Sequence, residues 1–297
     1  MHALLQPAPA LFALFGLLFG LLFGSFLNVV RLRLPAGESI VHPGSHCPHC
    51  QRLLAWWQNL PVLSWILLRG RCHFCRQPIS PAYPLMELAT AALWACAAAA
   101  SAHQPAPLAH ALAVAVFCWL MLLLAALDWQ HLWLPDRITW PAIALGLLWQ
   151  GLRANLAPAP VSPLVAELLH SSGLQPTLPS ALLAATLAAL VGAAIVLVIR
   201  LTYWLVRRRE GMGLGDAKLM AALGAWLGFT AMLDSFLIAV FAASAAALLW
   251  MLFGKLRRSA TDWAAMPLPL GTFLALAAIA EIFHPGWLLH LWLRFSL

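Results

Sequence analysis

Charge is what this sequence has least of. Only 9% of its 297 residues are charged, and ten Asp and Glu stand against 17 Lys and Arg. A water-soluble domain keeps about a quarter of its residues charged, so the composition excludes an ordinary soluble protein. Basic residues are also missing ahead of the first apolar run, since Arg31 and Arg33 follow it. A cleaved secretory signal carries a positive segment before its apolar core. The N-terminal stretch is therefore expected to remain as an uncleaved membrane helix. A glycine-rich nucleotide fingerprint is missing too, so no local motif marks a nucleotide-like ligand.

What remains is apolar: 63% of the residues are hydrophobic and the mean hydropathy is +0.86. Eight stretches, roughly 9–30, 83–101, 107–127, 138–152, 180–205, 217–231, 233–254 and 269–292, read as membrane spans. Several approach or exceed the roughly 20 residues a helix needs to cross a bilayer, and the fourth and sixth are short. Helices close their own backbone hydrogen bonds in lipid, so the expected fold is all-α and polytopic. Three segments follow: a first transmembrane helix (1–30), a polar insert (31–82) and a membrane core (83–297). A second connection, about 153–179, is rich in Pro, Ala and Ser.

The net charge of +7 would suggest nucleic acid in a soluble domain, but here it reads as topology. With the N-terminus outside, the inside loops hold Arg31, Arg33, Arg52, Arg69, Arg71, Arg76, Arg137, the run Arg207 to Arg209, Lys255, Arg257 and Arg258. The outside segments hold only Arg153 and Arg294. Lys and Arg concentrate on the cytoplasmic side of membrane proteins. This places residues 128–137, 206–216 and 255–267 together on that side. No nucleic-acid partner is expected.

Gly16, Gly20 and Gly24 repeat at helical four-residue spacing, which reads as a small-residue face for close helix packing. Ser25 beside them lacks a histidine base at its depth and is not read as a nucleophile.

Four of the six cysteines form two Cys-x-x-Cys pairs, Cys47–Cys50 and Cys72–Cys75, separated by 21 residues. Two such knuckles match a tetrahedral zinc site. Disulfides are the alternative, and the cytoplasmic placement argues against them. Four thiolates would close the metal shell, so the zinc is expected to be structural and to tie the insert together. His42, His46, His49 and His73 lie nearby and read as surface residues. Cys96 and Cys118, alone in apolar runs, read as core packing.

Acids at membrane depth are costly and point to function. Asp128 follows the apolar run Phe117 to Leu127, and Asp216 ends Gly211-Met212-Gly213-Leu214-Gly215-Asp216 before an apolar helix. Each has a plain alternative: Asp216 as a helix N-cap, Asp128 as an interfacial turn residue running on to Pro135-Asp136. Their placement on one side of the membrane favours a pair. A proton- or ion-relaying transporter and a zinc-bearing scaffold without catalysis remain competing classes. Against the transporter, no inverted repeat and no acid near a span centre is evident in the sequence.

The ordered motifs then become specific. They are Gly24-Ser25-Phe26-Leu27-Asn28-Val29-Val30-Arg31, the four-cysteine insert, Asn59 to Trp65 with Leu68-Arg69-Gly70-Arg71-Cys72, and Ile79 to Glu87. Asp128 with Leu134-Pro135-Asp136, Gly213-Leu214-Gly215-Asp216 and Pro269-Leu270-Gly271-Thr272-Phe273 complete the set. Almost end to end, the chain resembles the type IV prepilin peptidases, bifunctional leader peptidases and N-methyltransferases of the Gly-x-Gly-Asp aspartyl protease group. Gln130 stands where that family often has a second acid, His131 follows it, and Ala82 stands where Arg commonly precedes Tyr-Pro.

The resemblance implies that Asp128 and Asp216 are the catalytic pair. It implies prepilin or pseudopilin substrates in the lipid bilayer, cut after a short basic leader, and methylation of the new N-terminus from S-adenosyl-L-methionine. It also implies a bacterial inner-membrane protein serving type IV pilus or type II secretion assembly. Gly213 and Gly215 are expected to permit a tight turn and close approach of an extended substrate. Glu38, Glu87 and Glu210 are the acidic candidates for contacts with the leader. Asp128 near a helix C-terminus and Asp216 at a helix N-terminus predict Asp216 as the resting carboxylate and Asp128 as holder of the shared proton.

Overall fold

The computed structural model describes residues 9–156, 178–209, 211–256 and 268–286. Glu210, most of the 153–179 connection and most of the 255–267 loop lie outside the described residues. Among the described residues the structure is helical, with two isolated β-bridges and no strand. In chain order come α1 (Pro9–Arg33), a 3₁₀ turn (Trp56–Asn59), α2 (Leu63–Leu67), α3 (Ala82–Ser101) and α4 (Pro107–His131). Then follow α5 (Asp136–Leu156), α6 (Leu178–Arg207), α7 (Leu214–Leu227), α8 (Phe229–Leu256) and α9 (Leu270–Phe283).

The eight longer helices coincide with the eight apolar stretches. Five regions, Pro9–Arg33, Ala82–Ser101, Pro107–His131, Leu178–Arg207 and Phe229–Leu252, are long and apolar enough to cross a membrane. Helices α7 and α9 have 14 residues each, a rise of about 21 Å against a hydrocarbon core of about 30 Å. Helix α5 is longer but carries Asp136, Arg137, Gln150 and Arg153. The chain divides into two compact units, residues 1–119 and 120–297.

In the first unit, α1 lies against α3 along its glycine face. A Cβ on Gly16 would come 2.5 Å from the Trp94 carbonyl oxygen, and on Gly20 or Gly24 it would come 2.6 Å from the Cα of Ala91 or Glu87. The sequence reading of a packing face therefore holds. Gly20→Ala is expected to force the helices apart at about 1–3 kcal/mol, lowering the thermal unfolding temperature in detergent.

Polar residues pin the same pair of helices. The buried Asn28 side chain donates to the Tyr83 carbonyl at 3.0 Å, and the buried Arg31 guanidinium donates to Asn28 Oδ1 at 3.0 Å. Glu87, also buried, accepts the Val62 N–H at 2.7 Å. Val62 has φ 62°, which a β-branched residue rarely adopts, so Glu87 holds a strained turn at the start of α2. Cys118 is buried, whereas Cys96 is exposed on α3. The core-packing reading is thus corrected for Cys96, whose helical position turns it outward.

In the second unit α7 is the central element, buried continuously from Leu219 to Trp226. Small residues let its neighbours reach it: a Cβ on Gly224 would meet the Ala188 carbonyl of α6 at 2.4 Å, and on Gly146 of α5 it would meet Trp226 at 2.6 Å. Trp226 Nε1 donates to the Ala142 carbonyl at 2.7 Å, and Gln150 donates to the Trp226 carbonyl at 2.8 Å. This packing fixes the start of α7, where Asp216 sits.

Candidate active site and metal centre

Asp128 occupies the last turn of α4 and is 5% exposed. Its Oδ2 accepts the Thr272 backbone N–H at 2.7 Å and the Thr272 hydroxyl at 3.2 Å. The same hydroxyl lies 3.1 Å from the Ala125 carbonyl, so its proton is shared. Asp128 therefore caps the start of α9, where free N–H groups and the helix dipole favour a negative charge.

Asp216 is the third residue of α7, and the N-cap is Gly213. It is thus not the N-cap itself: it reaches back to accept the Gly213 N–H on Oδ2 at 3.2 Å, the reciprocal half of a capping box. Asp216 lies within electrostatic reach of Asp128. Two close carboxyls cannot both ionise readily, and the form with more hydrogen-bond donors keeps the charge.

This geometry bears on which of the two carboxyls would hold the charge. Asp128 does sit at a helix C-terminus, but the α9 start supplies the Thr272 backbone N–H and a share of its hydroxyl, against one N–H at Asp216. Asp128 is the carboxyl with the more hydrogen-bond donors. The signal was present in Pro269-Leu270-Gly271-Thr272-Phe273, yet no sequence spacing links Thr272 to a residue 144 positions earlier. Thr272→Val should lower turnover about tenfold, the effect of losing one hydrogen bond to a charged group, while Thr272→Ser retains it. Steady-state kinetics of the two variants decide this.

Gly213 has φ −75°, ordinary for any residue, so its backbone needs no glycine. Gly215 is constrained differently: a Cβ there would lie 2.8 Å from Leu134 Cβ. Its requirement is tertiary packing. Glu38 is exposed and lines a shallow cavity of about 370 Å³ with Ser39, His42, His46 and Gln51. Glu87 is occupied inside the first unit, as described above, and its carboxylate does not face solvent.

The four cysteines of the insert converge, with all four sulfurs within 4.8 Å of one another and none disulfide-bonded. Cys47 and Cys75 sulfurs are 3.9 Å apart. Tetrahedral metal–thiolate bonds of about 2.3 Å need sulfur separations near 3.8 Å, so the cage fits. The two knuckles repeat one fold. The Cys47 and Cys72 N–H groups donate to the Arg52 and Gln77 carbonyls, and the Gln51 and Arg76 N–H groups return to the Cys47 and Cys72 carbonyls.

Gln51 and Arg76, one residue past each knuckle, both take positive φ, 58° and 60°. The Cys75 N–H draws the Cys72 thiol down to about 7, with burial opposing it, which favours a metal-binding thiolate. The histidines stay outside this group. His46 Nδ1 lies 3.1 Å from the Gly44 carbonyl, and His73 packs edge-on against Trp57 and Phe74.

Residues 18–101 match the family described as the Bacterial Peptidase A24 N-terminal domain, and residues 115–252 match the Type IV leader peptidase family. A prepilin leader peptidase/N-methyltransferase of Burkholderia pseudomallei is 38% identical over 294 residues, covering 91% of this chain and 84% of that protein. The Klebsiella pneumoniae protein of the same name is 39% identical over 241 residues, covering 78% of this chain and 92% of its own. A type 4 prepilin-like proteins leader peptide-processing enzyme of Escherichia coli is 34% identical over 296 residues, covering 94% and 96%. No solved structure matches. The four cysteines fall in the first family match, and Asp128 and Asp216 fall in the second.

Proposed function

Because this chain belongs to the type IV leader peptidase family, we propose that Asp128 and Asp216 are the catalytic pair with which it removes prepilin leaders. The protein is a prepilin leader peptidase and N-methyltransferase in activity. The observation that carries the residue assignment is the α9 start, which holds a buried Asp128 carboxylate within electrostatic reach of Asp216.

The geometry supports a water-mediated hydrolysis. The Asp128 carboxylate takes a proton from water as the oxygen attacks the scissile carbonyl carbon. The proton on Asp216 polarises the carbonyl oxygen. The tetrahedral intermediate collapses with protonation of the leaving amine, and the pair returns to one proton. Gly213 at the N-cap of α7 and Gly215 in its first turn lie beside the reacting bond.

The substrates are prepilins or pseudopilins held in the bilayer. The membrane is the bacterial inner membrane, with the N-terminus periplasmic and the dyad facing the cytoplasm. The asymmetry of Lys and Arg supports this orientation, as does the position of both aspartates at loop-proximal helix ends. Glu38 is the exposed acidic candidate for the basic leader, and charge reversal there tests it by raising KM.

Cys47, Cys50, Cys72 and Cys75 would hold a zinc ion that cross-links the insert. Four thiolates leave no position for water or substrate, so the ion has a structural role. The methyl group comes from S-adenosyl-L-methionine.

The test is direct. Purified protein in nanodiscs, given a prepilin, should yield a shorter chain that lacks the leader and carries a methyl group on its new N-terminus by mass spectrometry. An unshortened prepilin would overturn the peptidase reading in favour of a transporter or a scaffold.

A further inference from the structure

One buried side chain, Leu134, lies between the start of α7, which carries Asp216, and the start of α9, which binds Asp128. It sits in the loop joining α4 to α5 and is 7% exposed. A Cβ on Gly215 would come 2.8 Å from Leu134 Cβ, and one on Gly271 would come 2.9 Å from Leu134 Cδ1. The leucine therefore touches backbone on both sides of the pair. Gly215 directly precedes Asp216. At Gly271 the same Cβ would lie 3.0 Å from Asp128 Cγ, so the two contacts bracket the carboxyls.

The loop that presents Leu134 is itself held at both ends. On its α4 side, the Leu132 N–H donates to the Asp128 carbonyl at 2.8 Å, with Leu132 at φ 51°. On its α5 side, Asp136 forms an ion pair with Lys218, two residues after Asp216. Leu134 is thus tied to the Asp128 helix by a turn and to the Asp216 helix by charge.

Resting on the dyad reading above, we propose that Leu134 is a positioning residue, a spacer held between Gly215 and Gly271 by the Asp136–Lys218 pair, which sets the separation of Asp128 from Asp216. Separation matters because like-charge coupling grows as the carboxyls approach. That coupling splits the two apparent pKa values of the pair, and the limbs of the pH–rate profile report the split.

The full-length protein in nanodiscs is assayed with a prepilin across pH. In Leu134→Ala the helix starts close, so kcat falls roughly 10- to 100-fold, KM stays near the original value, and the bell widens as coupling strengthens. Leu134→Met recovers both rate and profile. Asp136→Lys lowers kcat, and the exchanged pair Asp136→Lys with Lys218→Asp restores it. Should the alanine variant fail to fold, Leu134→Val carries the same readout.

A wild-type profile in Leu134→Ala overturns the proposal, and so does a loss of rate with unmoved limbs, which marks packing alone. Asp216→Asn is run alongside. Continued cleavage there sinks the dyad reading itself, whereas abolished cleavage with a normal Leu134→Ala sinks only the spacer.

Discussion

Asp128→Asn and Asp216→Asn should each stop prepilin processing, lowering kcat/KM by at least about 100-fold. The two changes act on different halves of one device. Asn at position 128 keeps an oxygen to accept the Thr272 N–H but cannot take a proton from water. Asn at position 216 still accepts the Gly213 N–H but has no acidic proton to pass on. Because the proposed pair acts through one proton, the double variant should be no slower than the worse single one.

A processed pilin supplied with its leader already removed should still be methylated by either variant, since neither aspartate is assigned to methyl transfer. Quantifying both products by mass spectrometry on one substrate pair checks this. Cleavage persisting in both variants would end the aspartyl mechanism.

Removing the proposed zinc should dismantle the insert while sparing the membrane helices. Between residues 38 and 80 only Cys47, Gln58, Gly70 and Cys72 are buried. There is no hydrophobic core to take over, so the insert depends on cross-linking. Structural zinc binding supplies on the order of 10–16 kcal/mol in small peptides near neutral pH, far more than the few contacts around Trp57, His73 and Phe74.

Cys72→Ser, or a strong chelator, is expected to open the segment to protease cleavage within residues 38–80. Total helicity should change little, because the long helices lie elsewhere. Metal affinity should fall as pH falls, since protonated thiols do not bind. Limited proteolysis with metal analysis across pH reads this. An insert that stays resistant after metal loss would show another source of its stability.

Most of the architecture was legible in the chain itself. Long apolar runs can satisfy their backbone in lipid only as helices, so each of the eight apolar stretches holds a helix, seven of them within a few residues of the expected ends and the last ending at Phe283 where 292 was expected. The spacing of Gly16, Gly20 and Gly24 and of the paired cysteines likewise follows from local geometry: a helical period in one case, a tight turn in the other. The opposite outcome at Cys96, exposed where packing was expected, shows the limit. Apolar context does not say which face of a helix meets protein and which meets lipid.

The aspartates divide along the same line. Their residue type, scarcity and helix-end positions were readable, because a carboxylate at membrane depth is costly wherever the chain folds. Which of them carries the proton was not. The local helix ends point to Asp216 as the anion, whereas the tertiary structure brings the start of α9, from 144 residues away, onto Asp128, and for the proposed pair this favours Asp128. Glu87 changed in the same manner, from a free acid in a motif to the acceptor that holds Val62. Sequence determined which groups could be ionised and which segments would be helices; only folding decided which N–H groups would face which carboxylate, because those partners are set by packing between helices.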